Sequence, residues 1–322
     1  MSTKKPGRSD VHPVHHFFPW QVWPGSYDNP LESDYSHADG DRPRLTWTTP
    51  VAGIGSCFIR EMKTRLAQAG CTFLVEETHK PAARHASAAW ERLYNLFSVR
   101  QVLEYALTDA VPEPRWWIAP QSRVVQDPYR RVILNNSLEE AEAEFAEHRR
   151  CARKVLTAAR VLLLSLDYVE IWEDSLTGAV LCLPSGPYVK EGGDMGRYRC
   201  RVTGIEENLA ALEDIYALLR AANPDCALVL LLSPIQQWAT FRARADVFAS
   251  TCYAKSVLRV VAETFAATRP GVSYFPAYEI AMLQAPSLGL PVFAPGRENF
   301  HIRADLCDNI SREFLRWAGL AE

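Results

Sequence analysis

Short apolar runs and amphipathic stretches alternate from about residue 50 to the end of the chain. "VAGIGS" (51–56), "VLLLSL" (161–166) and "CALVLLLS" (226–233) are continuous aliphatic runs, the pattern of strands buried on both faces. "CTFLV" (71–75) and "VSYF" (272–275) read as two further strands. Helical spacing takes over between them. Phe58, Met62, Leu66 and Ala69 share one face before Gly70 stops the run, and Leu209, Leu212, Tyr216 and Leu219 share another. Leu306, Ile310, Phe314 and Trp317 align in a final helix over 303–318. Helices are also expected over 98–107, from a Ser137/Glu140 capping box to about residue 158, over 206–221 and 250–268, and briefly from Ala277. Two stretches break the alternation. Residues 112–136, rich in Trp, Pro and Arg, read as an insertion, and 168–203 as a strand-rich excursion. Core strands separated by amphipathic helices imply a parallel sheet covered on both sides. The expectation is a three-layer α/β/α domain over residues 46–322. Residues 1–45 hold many His, Pro, Trp and Tyr without a period and read as an arm or partly ordered lid.

Composition narrows the function classes. With 322 residues, 48% hydrophobic, 23% charged and a net charge of -3, the chain has the balance of a soluble globular protein. It lacks the basic surplus that phosphate neutralisation needs, so no nucleic acid partner is expected. No apolar run approaches the length of a membrane span, and the polar start has no apolar h-region, which together predict a cytoplasmic protein without a membrane partner. Eight cysteines lie at 57, 71, 151, 182, 200, 226, 252 and 307 without CxxC or Cys/His spacing. Neither a metal nor a disulfide framework is expected, and no cofactor. Cys71, Cys182 and Cys226 read as small buried hydrophobes.

Candidate chemistry follows from topology. Open parallel sheets place their sites at the carboxyl ends of the strands. Gly55-Ser56-Cys57 follows the first strand, "SLD" the third, "SPI" the fourth, and "APGRENFHIR" precedes the last helix. Glu298 and His301 stand three residues apart in that loop, a spacing that lets a carboxylate orient an imidazole, or that merely caps a helix. Gly55-Ser56-Cys57 is likewise either an ordinary tight turn or the presentation of a nucleophile. A thiol at a helix start would be favoured as thiolate by the macrodipole and the free N–H groups.

"GIGSCF" resembles the signature of the GSCFA family, a branch related to SGNH (GDSL-type) hydrolases. Five more segments follow in the family's order: "RLYNLFSV", "SLDYVEIWE", "LLSPIQQWAT", "YAKSVLR" and "YFPAYEI". The resemblance implies an SGNH-hydrolase-like (flavodoxin-like) fold. Laid on its G-D-S turn and late D-x-x-H, Cys57 takes the nucleophile position, with Ser56 at the aspartate position. Glu298 and His301 match D-x-x-H with Glu for Asp. The oxyanion glycine of the family's third-strand segment is Asp167 here, a departure that puts a carboxylate where negative charge develops unless it is paired or turned away. Asn95 of "YNL" and Ser233 of "SPI" are the remaining candidates for oxyanion or substrate contacts; turn chemistry would equally explain both. Glu279 and Trp172 are expected to be structural.

The leading expectation is acyl-transferring hydrolysis, of esterase or thioesterase type, through a Cys57–His301–Glu298 triad acting on a small-molecule or carrier-bound acyl substrate. The same triad would serve an acyltransferase with an amine or hydroxyl acceptor. A non-catalytic binding protein on the same fold is the alternative that Asp167 and the aromatic arm would support.

Overall fold

The structure is a computed structural model, described for residues 21–23, 42–79, 86–90 and 92–320. The proposed arm or lid at 1–45 falls almost wholly outside the described residues.

The chain enters the sheet at β1 (Val51–Ile54) and turns at once into α1 (Cys57–Gln68). Ser56 caps α1, its hydroxyl accepting from Phe58 N. Gly70, at φ +98°, ends it, with Gly70 N and Cys71 N donating back to Ala67 and Leu66 carbonyls. Helix α2 (Leu96–Leu107) is followed by three two-residue strands, β2 (Trp117–Ile118), β3 (Val125–Gln126) and β4 (Leu134–Asn135), which form an antiparallel meander within the expected insertion. Helix α3 (Leu138–Ala158) leads to β5 (Val161–Leu166). The strand-rich excursion is a second antiparallel sheet of β6 (Glu170–Asp174), β7 (Val180–Leu181) and β8 (Tyr198–Val202), ordered β7-β6-β8, with the one-turn α4 (Pro187–Lys190) between β7 and β8. Helix α5 (Ile205–Ala222), β9 (Ala227–Leu232), α6 (Val247–Thr268) and β10 (Val272–Phe275) complete the alternation. Short turns α7 (Ala277–Glu279) and α8 (Ala285–Ser287) precede the final α9 (Ala304–Trp317).

The central sheet is parallel throughout, in the order β1-β5-β9-β10. "CTFLV" contributes less than the strand expected of it. Thr72 O accepts from Val51 N and Leu74 N donates to Val51 O, leaving a single parallel bridge at Phe73. At this edge only Cys71 is buried, so little apolar area holds a longer strand in place. Counting that bridge, the spatial order is the 2-1-3-4-5 winding of flavodoxin-like folds, with its switch point between β1 and β5. Helices α1 and α9 pack together; α2 packs on α3 and α5, and α5 on α6. These two groups are the outer layers of an α/β/α sandwich. β5 and most of β9 are buried residue by residue, which is why they read as unbroken apolar runs.

The meander is riveted to α3 by a buried ionic cluster. Arg130 donates to Asp127 (2.8 Å) and to both oxygens of Glu144 (2.9 and 2.6 Å), while His148 Nδ1 lies 2.7 Å from Glu77. No helix among the described residues is long and apolar enough to cross a membrane.

Candidate active site

The switch point is built by a close backbone approach. Gly55 sits at φ +141°, and a Cβ there would lie 2.6 Å from Ser165 Cβ. Only glycine lets the end of β1 touch the end of β5, and the chain then turns so that Cys57 begins α1. Ser56 is fully engaged below the turn. Its hydroxyl caps α1 and donates to Asp167 Oδ1 at 2.8 Å, and Ser165 Oγ donates to Asp167 Oδ2 at 2.7 Å. Lys255 of α6, itself buried, donates to the Asp167 carbonyl at 3.1 Å. The Asp167 carboxylate is thus paired with two hydroxyls, and Asp167 is not among the residues lining the cleft.

Cys57 Sγ lies 3.7 Å from His301 Nε2, although the residues are 244 positions apart. The loop carrying His301 is pinned on both sides. Ala294 N donates to His301 O, Arg303 N to Val292 O, and Gln236 N to Phe300 O. His301 N donates to Glu298 O at 2.8 Å, closing the one-turn 3₁₀ segment Gly296–Glu298. The Glu298 side chain is 78% exposed and its carboxylate stands 3.9 Å from His301 Nδ1. Nδ1 is buried and makes no hydrogen bond. The acid is near the imidazole but does not clasp it.

The electrostatics correct one expectation. Burial, and then the negative charge of Asp167, push the Cys57 thiol up to about 11, with Arg60 and Arg92 pulling the other way. His301 is lowered by burial, with Arg60 and Arg92 adding to the effect against Glu298 and Glu61. Thiol and imidazole therefore rest neutral near pH 7. Desolvation and the adjacent Asp167 carboxylate thus both oppose the thiolate that a helix start would favour.

A cleft of about 590 Å³ opens above this pair. Its wall includes Tyr94 and Tyr168, whose rings meet at 5.1 Å, together with Trp172, Gln237, Trp238 and Phe241, and the arginines 60, 92 and 131. Trp172, expected to be structural, packs against the smaller hydrophobic cluster of Trp117, Tyr129, Leu181 and Tyr198 and lines the cleft as well. Strand β6 lies outside the central sheet, and its alternate residues Glu170 and Trp172 border the cleft. Asn95 is not part of that wall. It caps α2, Oδ1 accepting from Ser98 N at 2.8 Å, while its Nδ2 is buried without a partner. Ser233 is fully buried, and its hydroxyl accepts from Ile235 N, which is Ser-Pro turn chemistry. Glu279 is structural, pairing with Arg259 and Tyr274 OH. Cys182 borders the cleft with its sulfur bonded to Arg92 O and Tyr94 N.

Most of the wall carries no motif in the sequence. Tyr94 and Tyr168 each stand next to a candidate residue, Asn95 and Asp167, so a signal was present. Arg131 lies in the insertion and carried none. Among the described residues, Glu77, His79 and Glu144 bring three possible metal-ligand atoms within 4.8 Å of one another. Arg130 already supplies a cation there, 2.9 Å from Glu144 Oε1 and 3.8 Å from Glu77 Oε1, and none of these residues lines the cleft.

A family model settles what the geometry belongs to: it matches residues 50–314, from the start of β1 to the buried Phe314 of α9. The chain belongs to the GSCFA family. Comparison with curated proteins returns no match. The matched span takes in Gly55-Ser56-Cys57 and His301, so both halves of the thiol–imidazole pair lie within the GSCFA region.

Proposed function

We propose that this GSCFA protein is a cysteine-dependent acyl-transfer enzyme of esterase or thioesterase type, working through an acyl-enzyme on Cys57. The observation that carries this reading is the 3.7 Å approach of Cys57 Sγ to His301 Nε2 at the mouth of a large cleft. Because both groups rest neutral, His301 takes the thiol proton as sulfur attacks the substrate carbonyl, rather than before it. The Cys57 N–H lies in the first turn of α1, where no carbonyl one turn earlier can accept it, and it points the helix start at the developing oxyanion. Collapse of the tetrahedral intermediate expels the leaving group, protonated by His301. Water activated by the same imidazole then releases the acid; an amine or hydroxyl in place of water makes the reaction acyl transfer. Glu298 supports the imidazolium electrostatically and reaches Nδ1 if the loop tightens on substrate.

Intact mass spectrometry with a panel of acyl thioesters and esters tests the proposal. An added acyl mass is expected on the wild type and not on Cys57→Ala. Turnover that persists in Cys57→Ala would overturn it.

A further inference from the structure

Arg130 and Arg131 are neighbours in sequence with opposite fates. Arg130 turns inward, where Asp127 and Glu144 both pair with its guanidinium. Arg131 turns to the cleft, where among the described residues its side chain donates to neutral groups: Ser185 Oγ at 2.9 Å and Tyr94 OH at 3.4 Å. Its Nε is buried with no hydrogen-bond partner, and no carboxylate among the described residues lies within ion-pair distance. Among the described wall residues the buried carboxylate is Glu170, already engaged by Thr240 Oγ1, Phe241 N and Gln237 Nε2. Arg60, ion-paired with Glu61 at 3.3 Å, and Arg92 line the same wall.

A guanidinium that lines a cleft, held in place by neutral partners and without a carboxylate partner among the described residues, is a preorganised receptor for a planar or tetrahedral anion. We infer that the cleft recognises an anionic group, carboxylate or phosphate, on the acyl substrate or its carrier, with Arg131 as the fixed anchor. The ionic cluster around Arg130 sets that anchor by fixing the preceding residue, which gives the inserted meander a part in substrate selection. This rests on reading the cleft as the substrate site of the proposed reaction.

Trp172 and Trp238 line the cleft, so anion binding is measurable by tryptophan fluorescence on the full chain without any turnover. Titration with glutarate or inorganic phosphate is expected to saturate for at least one of them, while neutral glutaramide gives no saturable response. Saturation by glutarate alone identifies a carboxylate, by phosphate alone a phosphate-bearing carrier. Arg131→Met should weaken the binding by about tenfold or more, Arg131→Lys less, since lysine keeps the charge but not the fork. Thermal melts of both variants check the fold, with Arg131→Gln as a further variant should Met destabilise it. The binding should survive in Cys57→Ala, which separates the anchor from the chemistry. Absence of anion binding, equal binding of glutaramide, or unchanged affinity in folded Arg131 variants would overturn the inference whatever Cys57 does.

Discussion

Asp167→Asn asks directly why Cys57, the proposed nucleophile, rests as a thiol. The change removes a negative charge and keeps the shape, and the amide can still accept from Ser56 or Ser165. With Cys57 pushed up to about 11, only about one thiol in a thousand is ionised at pH 8. Burial, the larger cause, survives the substitution; the Asp167 charge does not. Removing a like charge this close raises the thiolate fraction by on the order of tenfold. A less basic thiolate is also a weaker nucleophile, so the net gain in alkylation rate is roughly three- to fivefold. The assay is the iodoacetamide rate at Cys57 by intact mass against pH, with Cys57→Ala subtracting the exposed Cys252. Lys255 opposes the gain, because burial holds it near 8 and the Asp167 charge supports its protonated form, so the rates are compared at pH 7 as well as pH 8. A folded Asp167→Asn that alkylates no faster than wild type, with an unmoved pH midpoint, would refute the assignment of Asp167 as a cause of the neutral resting state.

Further outcomes follow from the same geometry. His301→Ala should lower kcat/KM by several orders of magnitude, whereas Glu298→Gln should cost less than about tenfold, because its carboxylate stands 3.9 Å from Nδ1 and is largely solvated. The proposed base must be neutral to act and His301 is lowered, so the acid limb of the kcat/KM profile should lie below 6.5 and move lower still in Glu298→Gln, which removes a raising charge. Gly55→Ala should destabilise the fold by about 2–3 kcal/mol in urea titrations, since the new methyl meets Ser165 at 2.6 Å in a left-handed backbone. Glu77→Gln should cost about 3 kcal/mol at pH 7 by breaking the buried cluster. Burial pushes the Glu77 carboxyl upward, but His148, Arg130 and Ala89 N–H outweigh it and leave it low. Its contribution is therefore complete above the unfolded carboxyl value and disappears as pH falls through the lowered one, so the difference between variant and wild type should shrink in acid melts.

Periodicity alone determined the sandwich. Continuous apolar runs at 161–166 and 227–232 can satisfy their side chains only inside a sheet covered on both faces, and the 3.6-residue stripes of α1, α5 and α9 supply the covers. The resemblance around "GIGSCF" pointed to Cys57 because a turn that needs Gly55 and a helix start are local, and local constraints are written in consecutive residues; the three-residue spacing of Glu298 and His301, matched to D-x-x-H, pointed to His301 in the same local way. What tertiary structure decided is everything that depends on distance across the chain. The 3.7 Å contact spans 244 positions, and the loose Glu298 contact depends on how the 292–303 loop is pinned. The neutral thiol depends on burial and on Asp167, 110 residues away (167 − 57). Arg131 is the clearest case. Nothing in "YRRV" distinguishes its two arginines, and only the placement of Asp127 and Glu144 around the first leaves the second facing the cleft without a counter-charge among the described residues. Charge compensation is a property of the folded neighbourhood, because electrostatic energy depends on separation in space and on the water excluded between the groups, neither of which sequence order records.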